Sequence, residues 1–139
     1  IQILKKMRKI NWGIIGLGNI ANIFANAFNN IDSASIKAVA SKNVNNLKFY
    51  KNKFHLKDKF CFDNYFDLIK CPEIDIIYIA LPNSYHSELV IEALKNKKNI
   101  LVEKPAFINV KDLEIVKELI WKNKIYLTEG FMYRHLPYF

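Results

Sequence analysis

Cysteine is scarce in this sequence: Cys61 and Cys71 stand ten positions apart, with no CxxC pair and no histidine at ligand spacing. That pattern excludes the usual zinc spacings and a disulfide framework, so no metal site is expected and both residues read as free thiols. Long hydrophobic runs are lacking as well. No stretch approaches the roughly 20 apolar residues of a bilayer span, and Ile1–Ile10 carries no apolar segment followed by a small-residue cleavage site. The expectation is a soluble, cytoplasmic protein with no membrane partner. Arginine is confined to Arg8 and Arg134. The formal net charge of +8 is therefore carried mostly by lysines dispersed among asparagines and isoleucines, the pattern of solvated faces rather than of a specific nucleic-acid interface. Such a charge still helps to recruit a phosphorylated small molecule. Internal repeats, low-complexity tracts and Pro/Gly-rich linkers do not occur.

What the sequence does hold is hydrophobic mass. Its 139 residues are 51% hydrophobic, enough for one domain with a real core and too few for a second complete one. Short apolar runs bounded by turn residues alternate with helical patterns, the signature of an α/β, doubly wound parallel sheet of about six strands with helices on both faces. Strands are predicted at Asn11–Gly16, Ile36–Ser41, Lys59–Phe62, Asp75–Ala80, Asn99–Glu103 and Ile125–Thr128. Helices are predicted at Asn19–Asn29, Val44–Lys53, Tyr65–Lys70, Ser84–Lys97 and Val110–Lys122. In the fourth helix Leu89, Val90, Ala93 and Leu94 recur at helical spacing, while Glu92, Lys95 and Lys97 take the wet side. Asp75–Ala80 is almost continuously apolar and should be central in the sheet. Residues 1–8 read as an N-terminal extension, with Met7 a candidate initiator, and 9–129 as the α/β domain. Residues 130–139 crowd aromatic and apolar groups and read as the start of a linker that needs a partner surface.

Trp12–Ala21 reads Trp-Gly-Ile-Ile-Gly-Leu-Gly-Asn-Ile-Ala, an apolar strand running into a glycine turn and then a helix. Gly16-x-Gly18-x-x-Ala21 matches the dinucleotide fingerprint. Gly16 permits the tight turn, Gly18 lets the backbone approach a pyrophosphate, and Ala21 lets the helix pack on the strand. Unpaired N–H groups at the helix start, around Asn19, Ile20 and Ala21, would face the anion.

Ligands of such sheets bind outside the carboxyl ends of the strands, and three further strand ends carry suggestive residues. The second ends Ala40-Ser41-Lys42, the fourth Ala80-Leu81-Pro82-Asn83 with His86 one turn on, and the fifth Glu103-Lys104-Pro105. An NAD site usually places an acid at the end of the second strand. None stands there; Ser41 and Lys42 offer a hydroxyl and a cation that suit a 2′-phosphate, which favours NADP over NAD. A methyltransferase of similar architecture would also require that acid. Asn83 can cap the following helix with its side chain. His86 reads either as a surface histidine or as a neutral imidazole touching ligand. Lys104, on a loop stiffened by Pro105, is the candidate catalytic residue, an ammonium able to donate a proton or to stabilise a developing alkoxide.

Taken together, Gly16-Leu-Gly-Asn-Ile-Ala21, Leu81-Pro-Asn-Ser-Tyr-His86, Glu103-Lys104-Pro105 and Glu129-Gly-Phe-Met-Tyr-Arg-His-Leu-Pro137 resemble the glucose–fructose oxidoreductase, inositol dehydrogenase and rhizopine catabolism (Gfo/Idh/MocA) family. The resemblance runs from Lys9 to Phe139. It implies a Rossmann dinucleotide-binding domain, followed in family enzymes by an α+β domain that supplies substrate contacts and the oligomer interface. It implies that Lys104 assists proton transfer while hydride moves between nicotinamide and a sugar, cyclitol or related polyhydroxy or carbonyl substrate. Glu103 and Pro105 would shape its loop, with a cis Lys104–Pro105 peptide. Leu81, Pro82, Asn83 and His86 would line the ribose and nicotinamide region, Arg134 would reach the cofactor, and Tyr133 would border the substrate. Ser41-Lys42 stands where NADP-using relatives often show Ser-Arg, so the lysine is a softer match without the planar fork. Since the sequence stops before the second domain, the chain is expected to be a truncated or partial form, homo-oligomeric only if that domain is present. The competing reading is a non-catalytic NADP(H)-binding sensor or interaction module.

Overall fold

Six short strands pair in a single sheet in the computed structural model, which describes residues 8–137. They are β1 (Ile10–Ile15), β2 (Ala34–Ala40), β3 (Cys61–Phe62), β4 (Ile76–Ile79), β5 (Asn99–Val102) and β6 (Leu127–Glu129). Every pairing is parallel and the lateral order is β3-β2-β1-β4-β5-β6. The chain therefore winds outward in one direction from β1 and in the other from β4, with β4 central as its apolar run requires. Sequence readings placed on Ile1–Met7, Tyr138 and Phe139 lie outside the described residues.

Five α-helices connect the strands: α1 (Asn19–Asn26), α2 (Val44–Lys53), α3 (Tyr65–Lys70), α4 (His86–Lys95) and α5 (Val110–Asn123). Strand side chains alternate between faces, and the buried residues separate accordingly. Ile14, Val39 and Tyr78 pack with Ala21 and Ala25 of α1 and Tyr50 of α2. Ile15, Ala38, Ile77 and Ile79 pack with Leu68 of α3, Leu89 of α4 and Val116 of α5. Asparagine starts three of the helices. Asn43 accepts from the Asn45 and Asn46 N–H groups, Asn64 from Phe66 N–H and Asn109 from Asp112 N–H, each relieving orphan donors of a first turn.

Several boundaries differ from the sequence reading. The first helix gives way after Asn26 to a 3₁₀ turn, Ala27–Asn30, which brings the Phe28 ring to 5.7 Å from Trp12 and 5.4 Å from Phe24. The fourth begins as a 3₁₀ turn over Asn83–Tyr85, closed by Tyr85 N–H on Pro82 O at 3.0 Å, so Asn83 makes no side-chain cap. It stops at Lys95 because Lys97 turns left-handed (φ 57°), with Lys98 N–H bonded back to Ala93 O. Lys124 (φ 54°) ends α5 in the same way, Ile125 N–H returning to Ile120 O, and this delays β6 to Leu127. Both are Schellman-type closures made without glycine.

Cys61 and Cys71 are free. Among the described residues no helix is long and apolar enough to cross a membrane.

Candidate functional site

Parallel pairing decides where the strand-end residues go. Ile15 pairs with Ala40 and Ile79, Ile79 with Val102, and Val102 with Glu129. The next residue of each strand therefore emerges on one rim: Ser41, Gly16, Ala80, Glu103 and Gly130. Backbone bonds hold that row, among them Gly16 N–H to Ala40 O at 3.0 Å, Ala80 N–H to Ile15 O at 2.8 Å and Glu103 N–H to Ile79 O at 3.0 Å. Gly16 and the Lys104 loop thus share a rim two strands apart, about 10 Å at ~4.8 Å per strand. The winding reverses between β1 and β4, the switch point where open sheets of this kind bind ligands.

The two fingerprint glycines meet different constraints. Gly16 has φ 86°, and a Cβ there would lie 2.4 Å from Ala80 O, so both conformation and contact demand glycine. Gly18 has nothing within 4 Å of its would-be Cβ. It caps α1 without a side-chain bond, and the first helical bond is Asn22 N–H to Gly18 O at 3.1 Å. The N–H groups ahead of that bond have no helical acceptor and open onto this free space. From α2, Asn46 Nδ2 donates to Leu17 O at 3.0 Å and holds the turn. Ala21 is fully buried against the sheet. A narrow turn beside an open, donor-lined space fits the diphosphate of a dinucleotide.

Past β2, Ser41 is buried, and its Oγ accepts Asn43 N–H at 3.1 Å. Lys42 is exposed, its ammonium 5.5 Å from the Tyr65 ring centroid. Past β4, Pro82 and Asn83 are exposed and Leu81 is half-buried.

His86 is not the surface histidine that one of the two sequence readings allowed. It is only 1% exposed, with Nδ1 2.9 Å from Pro105 O and Nε2 2.8 Å from Leu81 O. A neutral ring donates to one of these oxygens and an imidazolium to both. The imidazole ties the end of β4 to the loop after β5.

Glu103 turns back toward α1. Its Oε1 accepts the Tyr78 hydroxyl at 2.6 Å; burial first, and then this bond, push the Tyr78 hydroxyl far above its ordinary value. A Cβ on Gly130 would come within 3.2 Å of the same carboxylate oxygen. Lys104 is exposed, is joined to Pro105 by a cis peptide and makes no ion pair among the described residues. It opens on a hollow of about 550 Å³ shared with Gly130, Phe131, Met132, Tyr133 and Leu136. Tyr133 therefore stands with Lys104, and Arg134 lies exposed in the same 3₁₀ turn, Met132–His135. Ser41 and Lys42 occupy the other side of the glycine turn. Ile20 faces a separate hollow of about 280 Å³, walled by Phe24, Leu101 and Met132.

Sequence reasoning assigned no role to Asn46 or Glu129. Glu129 ends β6, and its Oε1 accepts Ala106 N–H at 2.7 Å, just past Lys104-Pro105. The available signal was an acid one residue before Gly130 at a strand's carboxyl end.

A parallel sheet wound both ways from its centre, with a tight glycine turn and an open helix start at the switch point, defines a dinucleotide-binding Rossmann domain. The chain belongs to the GFO_IDH_MocA oxidoreductase family, whose NAD-binding Rossmann fold matches residues 10–131. It is 34% identical over 132 residues to glucose-6-phosphate 3-dehydrogenase of Bacillus subtilis, covering 95% of this chain and 36% of that one. Scyllo-inositol dehydrogenase from Lactobacillus casei, solved with NAD(H) and scyllo-inositol, matches with a TM-score of 0.86 at 25% identity, over 94% of this chain and 38% of that one. A 3-ketoreductase from Actinomadura kijaniata, in complex with TDP-benzene and NADP, matches with a TM-score of 0.85 at 26% identity, over 94% and 41%. The chain spans less than half the length of these relatives.

Proposed function

We propose that this protein is the cofactor-binding part of an NAD(P)-dependent oxidoreductase acting on a CH–OH group of a sugar, cyclitol or related polyhydroxy or carbonyl compound. The observation that carries the reading is the shared rim, with the diphosphate cradle at Gly16–Gly18 and the Lys104 ammonium two strands away. Relatives named as acting on glucose 6-phosphate and scyllo-inositol support the substrate class.

When bound, the nicotinamide gives or accepts the hydride. Gly18 and the first N–H groups of α1, including those of Asn19 and Ile20, hold the diphosphate. Ser41 and Lys42 meet the adenosine ribose, where a cation and no acid favour a 2′-phosphate, hence NADP over NAD. Leu81, Pro82 and Asn83 line the path toward the nicotinamide ribose, and Arg134 reaches the cofactor from beyond β6. Lys104 handles the proton. Its ammonium donates to a carbonyl oxygen as that oxygen becomes an alkoxide, and in the reverse direction the amine takes the proton from the hydroxyl. Tyr133 borders the substrate.

Titration of NADPH and NADH against wild type and Lys42→Ala tests the cofactor assignment. Loss of one charge-assisted phosphate contact should weaken NADPH about tenfold and leave NADH unchanged; equal NADPH affinity in both proteins removes the assignment. Turnover followed at the nicotinamide absorbance over an inositol and sugar panel should fall about 100-fold or more in Lys104→Ala. Undiminished turnover in that variant contradicts the proton role.

A further inference from the structure

Lys104 is exposed, yet a proton-transfer group works only when held to within about half an ångström of its productive place. The restraint lies two residues further on. Pro105 C=O and Ala106 N–H are the two ends of a single peptide unit, and on a planar unit they turn together. His86 sits against the carbonyl oxygen at 2.9 Å, and Glu129 Oε1 accepts the N–H at 2.7 Å. Rotation of that peptide plane breaks both contacts at once. Ala106 is itself buried as part of the core cluster that holds Leu89 and Val116, and the proline ring fixes its own φ. The β6 register sets the Glu129 side of the clamp, since Glu129 pairs with Val102, the last residue of β5.

We propose that Glu129 is a positioning residue for Lys104: its carboxylate, opposite His86, locks the Pro105–Ala106 peptide and so fixes the direction in which the ammonium leaves the rim. This rests on the reading of the rim as a cofactor site with Lys104 facing the nicotinamide. Glu129 acts through acceptor reach. A glutamine, uncharged but equally long, keeps an oxygen on Ala106 N–H, whereas an aspartate keeps the charge and falls one methylene short.

The test is acetic-anhydride labelling of Lys104, read by peptide mass spectrometry on the full chain with and without saturating NADPH or NADH, using exposed Lys95 on the opposite rim as internal control. Cofactor should slow labelling of Lys104 in wild type and in Glu129→Gln. In Glu129→Asp that protection should fall about tenfold, the size expected for losing one hydrogen bond, with cofactor affinity within about twofold of wild type. Ala106 amide exchange should quicken by a similar factor in Glu129→Asp and not in Glu129→Gln. Wild-type protection in a folded Glu129→Asp overturns the positioning role. Should that variant not fold, Ala106 exchange in the wild type decides: a rate as slow as that of Gly130, whose N–H is bonded to Val102 O at 2.8 Å, supports the clamp, and an unprotected rate overturns it. Cofactor that leaves wild-type Lys104 unprotected overturns the rim reading itself, and this proposal with it.

Discussion

An added methyl group meets different surroundings at the two fingerprint glycines. At Gly16 the added carbon meets Ala80 O at 2.4 Å on a left-handed backbone, so Gly16→Ala should lower stability by at least about 2 kcal/mol. At Gly18 the carbon meets no protein atom. Gly18→Ala should cost at most about 1 kcal/mol in folding but weaken cofactor about tenfold or more, since it fills the space a diphosphate must approach. Thermal melts and cofactor titration of both variants separate the two effects, and wild-type NADPH affinity in Gly18→Ala would place the diphosphate elsewhere. The tight turn at Gly16 was legible because a backbone turn is local to the chain, whereas the approach of Ala80 O to it was not. The role of His86 was not, because its two carbonyl contacts become visible only once the β4 and β5 exits are side by side.

Local chemistry also explains which element boundaries were legible. Helices α2 and α3 begin and end where the sequence reading placed them, each started by an adjacent asparagine cap. The end of α4 was read two residues too long because Lys97 takes the left-handed conformation that usually marks glycine, and the same conformation at Lys124 starts β6 two residues later than the sequence reading placed it. On the amino rim Asp75 joins two strands: it accepts Asn11 N–H at 2.8 Å and two Arg8 contacts at 2.9 and 2.6 Å. The Arg8 hydrogen bond, helped by Asn11 N–H and opposed by burial, holds its carboxyl below its usual 3.8. A depressed folded value means the contribution of Asp75 to stability is complete above pH 3.8 and is lost as pH falls through the folded value. Acid unfolding of wild type and Asp75→Asn should therefore show a gap at neutral pH that closes at the acid end. A gap independent of pH would dissociate Asp75 from this linkage.

At the scale of the whole molecule, alternating apolar runs sufficed for strand number, the central place of β4 and helices on both faces. The uneven cover of those faces was not legible. Helices α3, α4 and α5 serve one face, while beside α1 a groove lined by Ile23, Phe24, Leu101 and Met132 stays open over β4–β6, with Ile23 and Met132 each 64% exposed. Phe131 and Met132 of the aromatic tail edge this groove, so the surface that the tail adjoins belongs to the same sheet as the rim. The rim unites the account, because parallel pairing brings Gly18, Lys42 and Lys104 to one edge of the sheet and sends Arg8, Asp75 and Lys98 to the other. Backbone amide shift mapping of the chain with NADPH tests this most directly. The expected result is the largest change at Gly18, Asn19 and Ile20, flanked by changes at Lys42 and around Lys104; shifts centred on Asn11, Asp75 and Lys98 would contradict it.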